Sequence, residues 1–571
     1  MPAMATDRST APAMGATRGT AVLVWATIAI LAVVVALPLT FILLQAIFPA
    51  LGQGSFAAPF SRVGDVLGDA ALLRLTLNTL ALGAAVVVGT ALLGVPLGML
   101  RALFRVPLAR VWDGLMLLPL MIPPYIATLG WIMTLQPRGY LSQLVGVQAG
   151  SFLFSFPGIV FVMVLNIFPV VYLAVSRTVA AVGGRLGDVA RVFGARPATV
   201  FRRITLPLAL PGLAASLLLA FAMTVEEYGT PAALGRQTGF TVLVTGIDTR
   251  IADWPIDLPG AAILSLLLVL LSLGAFVLQL RILAKRSYES VGGKPQPLVP
   301  RPLGAWALPA TLAFAAVALV AAVPLLATLA TALSRRMSGG LALDNLGLDH
   351  FAEILADGDG AMRALGNSFA LGGATALLTG LLGAASAYCV VRLKLRGRHL
   401  LDALTILPNA IPGVVVAVGL ILAWNQPLLP VTAYNTPVIL LLAYGCILLP
   451  YPVRYANAAL RQIADSLESA ARVAGASTLT TFRRIVLPLI LPNLVAAMLL
   501  VFAIASRELV ASILVAPVGM PTISTFIWRQ FEQGSVGLGM AMSSVAIALT
   551  LLVPLLAALL GRRSGLGGQP L

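Results

Sequence analysis

A 26-residue stretch occurs twice in this chain, each time between long apolar runs. Residues 186–211 read LGDVARVFGARPATVFRRITLPLALP and residues 467–492 read LESAARVAGASTLTTFRRIVLPLILP; at an offset of 281, 16 of the 26 positions are identical. Both copies are polar and basic, so they belong at a membrane surface with the apolar runs inside the bilayer. The shared skeleton is a small-residue segment, Gly194 or Gly475, then Ile204 or Ile485, then Leu206-Pro207 or Leu487-Pro488. An alanine-rich helix lets another protein approach closely, and a glycine after it ends the helix in a left-handed turn. The Leu-Pro pair suits the first turn of the next helix, where proline's missing N–H does no harm. Duplication of a domain explains two copies; it does not explain why a loop should resist divergence.

Composition agrees with a bilayer setting. The chain is 59% hydrophobic and 10% charged, with a mean hydropathy of +0.98, which is the range of membrane proteins. Cys389 and Cys446 both fall within apolar runs, so no disulfide framework or metal cluster is implied. His350 and His399 lie far apart in loops, which argues against a histidine-based metal or catalytic site.

Residues 1–19 form a polar tail. The apolar run 21–48 is too long for a signal-peptide core and no clear cleavage site follows, so it reads as a retained first span. Further spans are expected near 76–100, 112–135, 157–178, 208–230 and 259–283. A linker at 284–303, rich in Pro, Gly and charge, precedes spans near 305–333, 367–391, 402–424, 436–456, 489–511 and 536–560. The expected fold class is an all-α polytopic membrane protein of about 12 transmembrane helices, as two tandem six-helix units. With both termini, the linker and both repeated loops in the cytoplasm, that side carries 27 of the 37 Lys and Arg residues. Excess positive charge inside is what orientation by Lys and Arg requires. The net charge of +16 therefore reports topology rather than nucleic-acid binding.

The repeat extends beyond the loop. Asn78-Thr79 corresponds to Asn367-Ser368, Asp113 to Asp402, and the two prolines of LPLMIP (118–123) to those of LPNAIP (407–412), all at an offset of 289. Each half has an even number of spans, so the halves enter the membrane in the same orientation, about an axis along the membrane normal. That weighs against an inverted-repeat secondary transporter, though not against a parallel-repeat one. Paired prolines inside an apolar run break the helical ladder and leave carbonyls needing partners. Such a segment is either a kinked span satisfied by its neighbours or the lining of a path, with Pro123, Pro124, Tyr125, Asn409 and Pro412 beside it.

Glu226-Glu227 and Arg507-Glu508 stand at equivalent places near the ends of the fifth and eleventh spans. An ionisable group at membrane depth costs about 2.5–3.5 kcal/mol on insertion scales, so it pairs or faces water. Glu226 opposite Arg507 favours an ion-paired cluster; the alternative is a pore mouth or outer gate. No phosphate-binding loop occurs: the three lysines, Lys285, Lys294 and Lys394, are followed by Arg, Pro and Leu rather than Ser or Thr. A polytopic membrane enzyme would want clustered acids, histidines or a nucleophile constellation, and the sequence presents none.

The repeated loop resembles the EAA loop of ABC importer permeases: Glu-Ala-Ala, three residues, Gly, nine residues, Ile, one residue, Leu-Pro. The Gly-to-Leu-Pro part matches in both copies. The acidic part departs, as Asp188-Val189-Ala190 in the first copy and Ser469-Ala470-Ala471, with Glu468 one place early, in the second. The resemblance implies that Asp188, Ala190, Gly194, Ile204, Leu206 and Pro207, with Glu468, Ser469, Ala471, Gly475, Ile485, Leu487 and Pro488, form coupling helices that dock on ATPase subunits. Stretches such as LPLMIPPYIATLGWI (118–132), EEYGTPAALG (226–235) and RELVASILVAPVGMPTISTFIWRQFEQG (507–534) are similar to fused, double-unit importer permeases of the ferric-iron, 2-aminoethylphosphonate, thiamine or polyamine type.

That resemblance implies a permease unit at 20–283 with its EAA loop at 186–207, and a second at 304–561 with its loop at 467–488. Cytoplasmic tails at 1–19 and 562–571 and the linker complete the chain. It further implies a bacterial inner-membrane protein with no catalytic residues and no cofactor of its own. Two copies of an ABC ATPase would hold ATP and Mg, and a periplasmic binding protein would deliver the solute, ferric iron first among the candidates. Pro123, Tyr125, Asn409, Pro412, Glu226, Glu227, Arg507 and Glu508 are the expected path residues.

Overall fold

In hydrocarbon every backbone N–H and C=O must be satisfied within the protein, which leaves the helix as the available form for these apolar runs. The computed structural model describes residues 18–181, 184–284, 299–393, 398–427 and 431–563, and it is almost wholly helical. The tail before residue 18, most of the linker, the three lysines and the last eight residues lie outside the described residues.

The first half runs α1 (Ala21–Ile47), α2 (Ala70–Leu103), α3 (Ala109–Met121), α4 (Pro124–Val145), α5 (Phe156–Ala181), α6 (Gly184–Val192), α7 (Pro197–Glu226), α8 (Gly229–Thr238), α9 (Leu243–Ala252) and α10 (Leu258–Ala284). The second runs α11 (Gly304–Leu333), α12 (Ala361–Val391), α13 (Arg398–Ala410), α14 (Gly413–Trp424), α15 (Pro437–Leu448), α16 (Pro450–Gln462), α17 (Asp465–Val473), α18 (Thr478–Ala505), α19 (Val510–Val515), α20 (Ile523–Glu532) and α21 (Val536–Arg563). Among the described residues, eight helices are each long and apolar enough to cross a membrane, and three bent pairs raise the candidate spans to 11. The twelfth expected position carries α21.

The third span of each half is not one helix. Between α3 and α4 the axis turns by 96°, and between α13 and α14 by 114°. The breaks fall at Ile122-Pro123-Pro124 and Ile411-Pro412, where prolines remove N–H donors and force the preceding residue into an extended conformation. The fourth spans differ as well. α5 carries Pro169 inside an unbroken helix, whereas α15 and α16 meet at 46° around Pro450-Tyr451-Pro452. A second proline two residues on removes another N–H donor from the same turn.

The first helix of each half crosses to the other half. α1 packs along α14 and against α12 and α15; α11 packs along α3 and α4. Each also lies against the last span of its own half, α10 or α21. Glycine makes both crossings close. A Cβ at Gly419 would lie 2.6 Å from the Pro38 carbonyl oxygen, and one at Gly130 would lie 2.6 Å from that of Pro324. The residues from Tyr125 to Leu135 and from Val414 to Ala423 are buried throughout, so α4 and α14 owe part of their cover to a helix from the opposite half. The Asn-Thr and Asn-Ser repeats do equivalent work. Asn78 Nδ2 donates to Thr241 O at 2.8 Å and Thr79 Oγ1 accepts from Leu243 N at 2.9 Å. Asn367 Nδ2 donates to Pro521 O and Ser368 Oγ accepts from Ile523 N, both at 2.8 Å.

Candidate functional site

The repeated loops fold alike. α6 ends in a turn in which Gly194 N donates to Arg191 O and Ala195 N to Ala190 O, both at 2.9 Å, with Gly194 at φ +80°. α17 ends the same way, with Ala476 N donating to Ala471 O at 2.9 Å and Gly475 at φ +82°. This is the glycine-terminated helix end the spacing predicts. The Leu-Pro pairs fall in the first turn of the α-helical segments Leu206–Glu226 and Leu487–Ala505, as expected, but those segments continue a helix that begins earlier. Leu206-Pro207 and Leu487-Pro488 lie inside α7 and α18, which begin at Pro197 and Thr478. A wider turn at Phe201–Thr205 and Phe482–Val486 precedes each pair, with Leu206 N bonding Phe201 O and Leu487 N bonding Phe482 O. Widening to an i→i+5 bond accommodates the proline that follows. Ile204 and Ile485 sit half-buried within these turns.

The acidic residues part company. Asp188 has a side chain 65% exposed and pairs with Arg191 on its own helix. Glu468 turns inward, 6% exposed. Its carboxylate lies 3.0 Å from Arg392 Nε and accepts from the Tyr388 hydroxyl at 3.2 Å. Arg392 also pairs with Asp465 and donates to Leu460 O and Ile463 O, tying α17 to the end of α12. Ser469 Oγ bonds back to Asp465 O at 3.1 Å. At the helix ends the loops present apolar side chains to solvent: Val192 and Phe193 at 85% exposure in the first, Val473 at 90% in the second.

Between the halves lies a cavity of about 190 Å³. The first half contributes Pro123, Pro124, Tyr125, Glu227 and Gly229, and the second contributes Arg507 and Glu508 among others. Arg507 Nη1 donates to Met121 O at 2.9 Å, so a carbonyl at the broken third span of one half is satisfied by the other. Glu508 accepts from the backbone N–H groups of Val510, Ala511 and Ser512 at 3.0–3.3 Å, and Glu227 from Thr230 N at 3.3 Å. These carboxylates cap the first turns of α19 and α8. Next to the cavity, the Tyr228 hydroxyl donates to Asp248 Oδ2 at 2.9 Å. Burial raises the Asp248 carboxyl above its ordinary range, opposed by that hydrogen bond and by Arg236.

The family described as binding-protein-dependent transport system inner membrane component matches this chain twice, over residues 94–288 and 377–565. The chain belongs to that family. It is a double-unit permease of an ABC importer, an inner-membrane component whose family implies a periplasmic binding protein and an ATPase as partners. The permease is 27% identical over 513 residues to the ferric transport system permease protein FbpB of Actinobacillus pleuropneumoniae, covering 88% of this chain and 73% of that one. It is 26% identical over 509 residues to the Fe(3+)-transport system permease protein FbpB 2 of Haemophilus influenzae, covering 88% of this chain and 92% of the relative. A shorter match, 28% over 242 residues, covers 42% of this chain and 89% of a proposed 2-aminoethylphosphonate transport system permease protein PhnV of Salmonella paratyphi A.

Of the residues expected along the permease's path, five meet at the central cavity: Pro123, Tyr125, Glu227, Arg507 and Glu508. Glu226, Asn409 and Pro412 do not line it. Glu226 accepts from Ser272 Oγ at 3.3 Å, and Asn409 Nδ2 satisfies Ile406 O at 3.0 Å within its own turn. The expected ion-paired cluster is not formed: among the described residues Arg507 makes no ion pair with Glu226, Glu227 or Glu508, its partner being a carbonyl. Sequence reasoning missed Arg392 and Tyr388, which replace Leu103 and Met99 of the first half and carry no repeat signal. It also missed Gly130 and Gly419, which share the 289-residue offset and were legible as a repeated pair.

Proposed function

We propose that this permease moves ferric iron inward by alternating access, driven by two copies of a separate ATPase. The observation that carries the substrate is the match of both units, along 88% of the chain, to a ferric transport permease. At the central cavity Glu227, Glu508 and Tyr125 supply oxygen atoms of the kind a hard cation takes, beside the Arg507 guanidinium. The chain itself holds no cofactor; ATP and Mg reside on the ATPases, and the solute arrives on a periplasmic binding protein. Both termini and the linker are cytoplasmic, on the 27-to-10 split of Lys and Arg. The ATPases dock on α6 and α17, where Val192, Phe193 and Val473 offer apolar surface to bury.

A docked partner shifts the inward and outward states only by binding them unequally. The glycine-ended turns are the element through which ATPase closure would act on α7 and α18. Closure would open or shut the cavity at their far ends, beside Glu227 and Glu508. A second reading has one specific support: Arg507 at the cavity would hold a phosphonate and the carboxylates an ammonium, the two ends of 2-aminoethylphosphonate.

The deciding measurement uses proteoliposomes holding permease and ATPase, with purified binding protein outside. Iron-loaded binding protein should stimulate ATP hydrolysis and iron accumulation. Stimulation only by a 2-aminoethylphosphonate-loaded protein would transfer the assignment to the second reading, and stimulation by neither would remove both. Glu227→Gln with Glu508→Gln keeps one capping oxygen at each site and should lower uptake without loss of assembly. Unchanged uptake would reduce both residues to helix caps.

A further inference from the structure

The first half has open space where the second half has an ion pair. At the shared offsets, Leu103 stands where Arg392 does, Gly187 where Glu468 does, Met99 where Tyr388 does, and Phe201 where Phe482 does. In the second half those four side chains close on one another: Glu468 with Arg392 and Tyr388, and the Tyr388 ring on Phe482 at 4.9 Å between centroids. In the first half the same region is a cavity of about 350 Å³, with Leu103, Gly187 and Phe201 in its wall. Two cations also line it, Arg191 and Arg301. Arg301 is fixed there by the parallel pairing of Phe104-Arg105 with Arg301-Pro302, where the linker returns to the first half.

We propose that this cavity binds the phosphate-bearing headgroup of an acidic phospholipid, which takes the place of the missing ion pair and braces the first docking loop. Three features select that occupant. The volume is that of a small-molecule site. The cavity wall combines two arginines with apolar side chains, chiefly Leu103, Phe104 and Val200, matching an anion joined to a hydrocarbon body. It also lies at the end of α2 and the start of α7, two membrane spans, at the level where headgroups lie. Basic pockets between helix ends are where acidic headgroups bind. Arg191 is partly neutralised by Asp188, whereas Arg301 has no ion pair among the described residues. Arg301 therefore supplies most of the attraction. An anion so held would join α6, α7 and the linker end, as Glu468 joins α17 to α12 in the other half.

The test is native mass spectrometry of the detergent-purified full chain, titrated with short-chain phosphatidylglycerol, phosphatidylcholine of the same chain length, and inorganic phosphate. One saturable phosphatidylglycerol should bind in preference to phosphatidylcholine, and inorganic phosphate should not displace it. Arg301→Gln should weaken binding about fivefold, and adding Arg191→Gln should bring the loss to about 30-fold. Leu103→Arg with Gly187→Glu rebuilds the ion pair and should abolish the bound lipid. The Gly187 Cβ would meet Val200 Cγ1 at 3.3 Å, so Val200 must yield slightly. The arginine variants stand independently of that repacking. Equal binding of phosphatidylcholine, lipid retained by the rebuilt pair, or full displacement by inorganic phosphate would each overturn the proposal. So would displacement of lipid by added ATPase, which would make the cavity a socket for the partner.

Discussion

At the base of the second repeated loop Glu468 reaches inward to Arg392 and Tyr388, while at the same place in the first loop Gly187 has no side chain and Asp188 faces solvent. The two loops nevertheless end in the same glycine turn and continue through the same widened turn into a span. The difference separates two requirements. If the loops dock like partners as proposed, a common turn geometry is what presenting one shape to both requires. The anchoring is free to diverge because it concerns only how each loop is fastened to its own half. Magnitudes support the division. An exposed i,i+3 pair such as Asp188–Arg191 contributes about 0–1 kcal/mol. Removing the buried Glu468 carboxylate, with Asp465 still paired to Arg392, costs about 1–3 kcal/mol.

The most severe break in the comparison would come from the feature the loops share. Gly194→Val with Gly475→Val forces β-branched residues to φ near +80°, at about 1–2 kcal/mol each. A Cβ at either position meets nothing within 4 Å, so the damage is to the turn and not to packing. Binding-protein-stimulated ATP hydrolysis should vanish in the double variant while the spans remain inserted. Ala198→Val and Thr480→Val, outside the shared skeleton, should be mild. Full transport by the double glycine variant would remove the loops from the coupling role.

Next in size, Glu468→Ala should lower stability by about 1–3 kcal/mol, read as a fall in thermal unfolding midpoint, since it removes a buried charged hydrogen-bond partner while Arg392 keeps Asp465 and two carbonyls. Gly130→Ala and Gly419→Ala should each cost about 1–3 kcal/mol by overpacking against a proline carbonyl of the opposite half. Their losses should be alike, because the helix exchange is symmetrical where the loop anchors are not. After protease nicking of the linker, both variants should let the halves separate at lower temperature than the parent. A large difference between the two would mean that only one crossing holds the halves together. Asp188→Ala is the smallest, within about 1 kcal/mol. A loss matching that of Glu468→Ala would dissolve the contrast on which the anchoring account rests.

Much was legible from residues alone, and the reason is that the rules involved are local. Apolar runs near 20 residues long, the two offsets, and the glycine after a small-residue helix each depend on neighbours along the chain. The same local rules marked the LPxxIP prolines as breaks. They do not give the turn of 96° or 114°, because packing on both sides of the break sets the direction. Local reasoning put Leu206-Pro207 in the first turn of an α-helix, where it is, but did not give the wide turn that joins it to the helix before. A proline permits either a new helix or a widened turn in a continuing one, and burial of the flanking faces selects between them.

Tertiary structure alone decided the rest. Arg507 and Met121 are 386 residues apart, and Tyr388 and Glu468 are 80 apart. Opposite charges at matched positions suggested Glu226 for Arg507, but charge complementarity carries no information about distance. The guanidinium instead meets a carbonyl at the broken span, a group that lacks a helical partner. The exchange of α1 and α11 between halves is of the same kind. Both are apolar helices of ordinary pattern, and only the fit of Pro38 on Gly419 and of Pro324 on Gly130 determines which half each one covers.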